Sequence, residues 1–177
     1  MRVISGKYKG KKIMGFDIDG TRPTMDRVKE SLFAMIQTKV KDSTVLDLFA
    51  GSGSLGIEAL SNGAREAYFI DNNTKIIQIL KNNTSFIDED IHILKSDYID
   101  ALRLLKEYQF DIIFLDPPYN AHLINNCLEK IHEYDLLSPS GIIVCEYEDE
   151  EIVTDYFDLI KEKKYSDKHI KIYKCKV

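Results

Sequence analysis

The residues with the most pointed chemistry are Asp116-Pro117-Pro118-Tyr119, which follow the run Phe110 to Leu115 (FDIIFL). Ile112, Ile113, Phe114 and Leu115 have the length and composition of a buried strand, and two prolines then end any ladder or helix. A carboxylate is thereby set at the carboxyl end of a strand. Pro117 and Pro118 have no backbone N–H and a fixed φ, so the loop is stiff and offers carbonyl acceptors without nearby competing donors. With the Asp116 carboxylate added, this is an acceptor-rich pocket suited to an NH2 group, and Tyr119 supplies a flat face for stacking a planar ring. Taken alone, the tetrapeptide admits any planar amine, and equally a strand that stops at a proline turn with an exposed Asp.

A second constellation runs from Val45 to Gly56 (VLDLFAGSGSLG), read as a strand, a glycine-rich turn and a helix start. Gly51, Gly53 and Gly56 fit G-x-G-x-x-G, and Asp71 follows Gly51 by 20 residues at the end of the next strand. That spacing is a dinucleotide fingerprint, with the acid placed for ribose hydroxyls, and an NAD-dependent oxidoreductase is one reading. Asp47 argues against it. A carboxylate just ahead of the glycine turn repels a pyrophosphate but attracts an ammonium group. S-adenosylmethionine has that ammonium and no phosphate; it has a ribose for Asp71 and an adenine amino group for which Asp97, after the third strand, is a candidate acceptor. Asp71 and Asp97 can each also simply cap a following helix.

The elements that must position these residues alternate. Strands are expected at 45–49, 67–70, 91–94, 112–115 and 142–145, with helices at 55–61, 75–83, 101–107 and 123–132 between them. This order predicts βαβ units in a mainly parallel sheet with helices on both faces. Around Leu159-Ile160 and Ile170 to Tyr173 two further strand-like runs lie too close together for a crossover helix, so the last strand is expected to be antiparallel. Ahead of the sheet, Thr24 is the expected N-cap of a helix of about four turns whose buried face is Val28, Leu32, Met35 and Ile36. Met1 to Phe16 reads as two short strands joined by a turn, a small basic β-hairpin. The expectation is an α/β, doubly wound, seven-stranded Rossmann-like domain over 21–177 with a hairpin extension over 1–20.

At 177 residues the chain is long enough for one full core. It carries no run of membrane-spanning length and no signal-peptide core, so a cytoplasmic protein with no membrane partner is expected. Cys127, Cys145 and Cys175 are scattered and odd in number, which suggests neither a disulfide framework nor a zinc site. The net charge of −5 hides an asymmetry, because residues 1–41 hold ten Lys/Arg against four acids. A basic end on an acidic body suits a phosphate-binding appendage on a catalytic domain, with a solvated lysine-rich surface as the plainer account.

With these residues in view, the chain resembles the class I methyltransferases, and within them the RsmD family, which methylates the exocyclic N2 of a guanine in 16S rRNA. The resemblance rests on Arg2-Val3-Ile4-Ser5-Gly6; on Arg22-Pro23-Thr24 with Arg27, Lys29, Glu30 and Phe33; on Leu46 to Gly53 with Glu58-Ala59-Leu60 and Gly63-Ala64; and on Asp116 to Tyr119. Asp71 departs from the Glu of many members and shortens the carboxylate's reach, and Ser61-Asn62-Gly63 lacks the family's usual Arg. The resemblance implies in-line methyl transfer from S-adenosylmethionine without a metal. Asp116 and the Pro117 carbonyl would accept the amine N–H bonds, and Tyr119 would stack on the base with Pro118 beside it. Asp47, Phe49, Gly51, Gly53, Asp71 and Asp97 are the candidate cofactor residues. Arg2, Lys7, Lys9, Lys11, Arg22, Arg27 and Lys29 are the candidate rRNA contacts, and a monomer acting on the small ribosomal subunit or its assembly intermediates is expected. A DNA adenine or protein glutamine N-methyltransferase shares the same tetrapeptide logic, and a non-catalytic RNA-binding protein is a further alternative.

Overall fold

A computed structural model describes residues 1–15 and 23–177. The elements are α1 (Pro23–Met35), α2 (Gln37–Val40), β1 (Thr44–Asp47), α3 (Ser54–Ser61), β2 (Glu66–Asp71), α4 (Thr74–Asn83), β3 (Asp90–Lys95), α5 (Tyr98–Leu104), β4 (Phe110–Leu115), α6 (Ile124–Glu133), β5 (Leu137–Tyr147), β6 (Phe157–Tyr165) and β7 (Lys168–Cys175). The seven strands form one sheet in the order β3-β2-β1-β4-β5-β7-β6. The first five pair in parallel, and β7 is antiparallel to both β5 and β6. The alternation read from the sequence is therefore the alternation of the fold, with the last strand inserted inside the edge rather than placed at it.

Alternate residues of the strands face two separate cores. Val45, Ile112, Phe114, Ile142 and Val144 pack with α1, α3 and α4, while Leu46, Ile113, Leu115, Ile143 and Cys145 pack with α5 and α6. That two-sided burial is why these strands read as unbroken apolar runs. In α6 the buried residues Ile124, Cys127, Leu128 and Ile131 lie at the helical spacing of one face. Asn73 caps α4 by accepting the N–H of Lys75 and Ile76, and Asp97 caps α5 by accepting the N–H of Asp100.

At the amino end one expectation is corrected and another, the two-stranded hairpin, is met only by a bridge. The first helix begins at Pro23, so Thr24 lies inside its first turn rather than at its cap, consistent with the preference for proline at the first helical position. Where two strands are expected, residues 1–15 form a single antiparallel bridge between Arg2 and Lys12. The boundary expected at residue 20, and Arg22, lie outside the described residues.

This segment docks on the domain through Val3, Tyr8 and Ile13, all buried in the α1/α3/α4 core. Glu58 of α3, 1% exposed, anchors it by accepting the backbone N–H of Ile4 and Ser5, each at 3.0 Å, and the ammonium of Lys29 at 3.1 Å. Gly6 sits so close to Ser61 that a Cβ would fall 2.0 Å from its carbonyl oxygen, which accounts for a glycine with φ +84° at that point. Glu58→Ala leaves the Lys29 ammonium buried without its counter-charge and orphans two backbone donors. It is expected to cost about 3–5 kcal/mol in urea unfolding, with lost hydrogen-exchange protection at Ile4 and Ser5.

Candidate active site at the carboxyl edge of the sheet

The glycine turn follows β1, and its geometry is set by backbone as much as by side chains. Gly51 and Gly53 have φ of +55° and +87°, a region closed to most other residues, and Gly53 leads directly into α3. Gly56 is required for a different reason: a Cβ there would meet the Phe69 ring of β2 at 2.3 Å, so the third glycine lets α3 lie on the sheet. Ala50 donates its N–H to Ile70 at 2.9 Å, which ties the turn to β2.

The acids singled out in the sequence hold this turn. Asp47, 1% exposed, accepts the N–H of Gly56 at 3.1 Å. Asp71 accepts the N–H of Gly51 at 3.2 Å through one oxygen and that of Asn73 at 3.1 Å through the other. Burial foremost, with the negative charges of Asp71 and Glu146 adding and the Gly56 bond opposing, raises the Asp47 pKa to about 7. Phe49 packs its ring at 5.5 Å from that of Tyr98.

β4 is the parallel neighbour of β1, with Leu46 opposite Ile113 and Asp47 opposite Phe114. The turn after β1 and Asp116-Pro117-Pro118-Tyr119 after β4 are therefore side by side, about 5 Å apart in the sheet direction. Tyr119 is 69% exposed, with its ring free for a ligand. Asn120 and His122 follow in the left-handed region, which marks the loop as locally strained. Pro117 to His122 form one wall of a cleft whose other wall is Tyr147 to Glu150 and Lys168.

Asp116 is half-buried and sits among like charges. Desolvation and Glu146 of β5 raise its pKa well above the carboxylate range, with Asp47 and Glu148 adding and Lys168 opposing. The acidic neighbours alone give that direction. Lys168, the first residue of β7, places its Nζ 4.0 Å from Asp116 and 3.5 Å from Glu146. Sequence reasoning missed both residues. The available signal was residues 157–177, which hold seven lysines against three acids.

The candidate RNA contacts are not gathered in one place. Lys29 is corrected outright: it is 7% exposed, and its ammonium is held by Glu58, by Ser54 Oγ at 2.9 Å and by the Arg2 carbonyl at 3.1 Å. Lys7 is also displaced from the expectation. It pairs with Asp88 and Glu89 just ahead of β3, at the edge of the sheet opposite the cleft. Lys11 lies over the Phe86 ring at that same end, and Lys9 is in the exposed turn beside it. Arg2 and Arg27 are exposed, and the Arg2 backbone carbonyl accepts from Lys29.

A parallel sheet of this order, with an antiparallel β7 inside its edge, a glycine turn after β1 and an acid after β2, defines a class I, Rossmann-like methyltransferase fold. Its donor set fits S-adenosylmethionine, because Asp47, Asp71, Asp116 and Glu146 converge on a space that favours a cation and disfavours a pyrophosphate. The chain belongs to the RsmD family, whose sequence profile, described as "Conserved hypothetical protein 95", matches residues 1–174. The Bacillus subtilis protein YlbH is 41% identical over 98% of each chain. The Haemophilus influenzae protein named ribosomal RNA small subunit methyltransferase D is 35% identical over 92% of this chain and 88% of its own. The solved structure of Escherichia coli yhhF superposes with a TM-score of 0.86 at 31% identity, covering 99% of this chain and 97% of that one. The fold is also that of Thermus thermophilus RsmC, a 16S rRNA N2 G1207 methyltransferase solved with AdoMet and guanosine, with a TM-score of 0.69 at 19% identity, covering 91% of this chain and 45% of that one.

Lys168 is the cation that opposes ionisation-suppressing repulsion at Asp116. Lys168→Met is expected to raise the Asp116 pKa further, read as an upward shift in the carboxyl carbon titration by NMR, while Lys168→Arg leaves it near the wild-type value.

Proposed function

We propose that this protein transfers a methyl group from S-adenosylmethionine to the exocyclic N2 amine of a guanine in 16S rRNA, acting in the cytoplasm on the small ribosomal subunit or its assembly intermediates. The observation that carries the reading is the adjacency of two loops on neighbouring strands, the Gly51–Gly53 turn after β1 and Asp116 to Tyr119 after β4. It sets a site for a cationic cofactor against an acceptor pocket for an amine. The names of the relatives, rRNA small subunit methyltransferases, support the choice of substrate.

The cofactor supplies an activated methyl group on a sulfonium. The remaining work belongs to the chain. Asp71 accepts the N–H of Gly51 in the glycine turn and Asp47 that of Gly56 at the start of α3, and the two leave a negative field for the cofactor's ammonium and ribose hydroxyls. Asp97 keeps one oxygen for its helix cap, so a contact to adenine would use the other. Asp116 and the Pro117 carbonyl accept the two N–H bonds of the amine. The amine lone pair is delocalised into the guanine ring, and these acceptors favour a pyramidal nitrogen and stabilise the positive charge that develops on it. Tyr119, with Pro118 beside it, holds the base by stacking. The base enters unpaired or flipped out of its helix. Arg2 and Arg27, both exposed, are left as candidate phosphate contacts.

Asp116→Ala removes an acceptor but leaves the glycine turn intact. It is expected to retain S-adenosylmethionine binding by calorimetry and to lose transfer by at least about a hundredfold. The assay is labelled methyl transfer to small subunits, naked rRNA, DNA and protein in parallel; turnover retained by the variant, or wild-type transfer to DNA or protein alone, overturns the reading.

A further inference from the structure

The lysines expected to hold RNA are buried or at the far edge of the sheet, and a different basic surface stands beside the cleft. β7 starts where β5 ends, with Tyr147 opposite His169, and β6 continues the row with Lys164 opposite His169. The turn between β6 and β7 is therefore at the carboxyl edge of the parallel strands, next to Asp116. In a sheet, residues paired across strands share a face, so Tyr147, His169 and Lys164 form one row on one side. The next row on that face, two residues along, is Cys145, Lys171 and Glu162.

These rows line a groove. Tyr147, Glu162, Lys163, Lys164, His169 and Lys171 border it, and Tyr147 also borders the cleft that holds Pro117 to Tyr119. The groove thus shares Tyr147 with the candidate active-site cleft. The Tyr147 and His169 rings are stacked 5.3 Å apart and nearly parallel, at 15°. Among the described residues, Lys164 and Lys171 form no ion pair within 4 Å, and Glu162 is the single carboxylate of the groove. Lysines on an edge strand commonly serve only to block edge-to-edge association. That explanation covers Lys163 and Lys164 of β6 but not Lys171 or His169, which lie on the interior strand β7.

We infer that the β5–β7–β6 groove is a second nucleic-acid contact, taking the single-stranded RNA segment that flanks the target base, with Lys164 and Lys171 on its phosphates and the Tyr147–His169 pair against a neighbouring base. The inference rests on the RNA methyltransferase reading above. Its chemistry is the combination that single-stranded nucleic acid selects for, a cationic track beside aromatic faces. Its placement answers a requirement of that reading, since a base drawn out of its helix leaves flanking nucleotides that must be held for the amine to stay aligned.

The test is RNA binding and steady-state methyl transfer as a function of salt, for wild type, Lys164→Glu/Lys171→Glu, Lys164→Gln/Lys171→Gln and Tyr147→Leu, with Lys106→Glu as a remote exposed control. The charge-reversed variant is expected to weaken RNA binding about tenfold or more and to lower the slope of log affinity against log salt by roughly 1.4 for two phosphate contacts to a single strand. Tyr147→Leu is expected to raise KM for RNA about fivefold or more, the loss of one stacked base. In the Lys164/Lys171 variants S-adenosylmethionine affinity and kcat at saturating RNA stay near wild type, Tyr147→Leu keeps S-adenosylmethionine affinity, and Lys106→Glu is indistinguishable from wild type. If the charge-reversed variant does not fold, the neutral pair carries the same test with smaller shifts. Wild-type transfer to RNA with unchanged affinity and salt slope in the groove variants overturns the groove assignment alone. Absence of any wild-type transfer to RNA overturns the functional reading and the groove with it.

Discussion

The parallel pairing of β1 with β4 is the constraint on which the rest of the molecule depends. It is a topological switch point: the chain runs from β1 outward to β2 and β3 on one side, then returns to continue as β4 and β5 on the other. Crossover connections diverge there and leave a crevice beyond the strand ends. Because all five parallel strands end at the same edge, whatever follows each of them is brought to that crevice. Asp47 ends β1, Asp71 ends β2, Asp116 follows β4, and Glu146 lies at the end of β5. The accumulation of carboxylates is a direct consequence of strand order.

Such an accumulation opposes folding, and the structure shows how it is moderated. Asp71 is tied to the N–H of Gly51 in the glycine turn and Asp47 to that of Gly56 in the first turn of α3, so part of each charge is met by backbone donors that have no intrahelical or strand partner. Among the described residues no backbone N–H bonds to Asp116, and its opposing charge is Lys168 from the antiparallel β7. The insertion of β7 between β5 and β6 has a chemical effect as well as a topological one, since a parallel strand in that position would bring its carboxyl end, not Lys168, to the crevice. At the opposite side of α3, Glu58 shows the complementary solution. It is buried completely, and it is tolerable because a lysine and two backbone amides converge on it.

What was legible in the sequence follows from these constraints. The strands sit between two cores, so their apolar runs announced themselves, and the Asp116 tetrapeptide and the glycine turn are contiguous in the chain and could be recognised without knowing the fold. The N-terminal charges were read less well. Lys29 looked like surface because it is a lysine, yet it lies one helical turn before Phe33, which is buried, and Glu58 stands in the middle of the apolar helix Leu55 to Leu60. Two opposite charges on two apolar faces are the pattern of a buried pair, which becomes visible only when the faces are known to meet. The Lys168–Asp116 contact and the Tyr147–His169–Lys164 row join residues from strands far apart in sequence, and the register that unites them depends on β7 entering inside the sheet edge, which no local signal specifies.

The two charge layers at the carboxyl edge also separate the demands of the two ligands. The acidic floor, formed by Asp47, Asp116 and Glu146, is buried or partly buried, so its attraction for a cationic cofactor is weakly screened by salt. On the rim Lys164 is exposed and Lys171 partly so, and attraction to a polyanion there acts through counterion release and falls steeply as salt rises. A floor left open to the rim would repel RNA phosphates from the amine-binding pocket. That repulsion favours approach by the base, which is uncharged, over approach by the backbone. On the proposed reading the acidic centre would contribute to orientation as well as to chemistry, because only a base swung out of the strand would reach Asp116 while its phosphates remained on the rim.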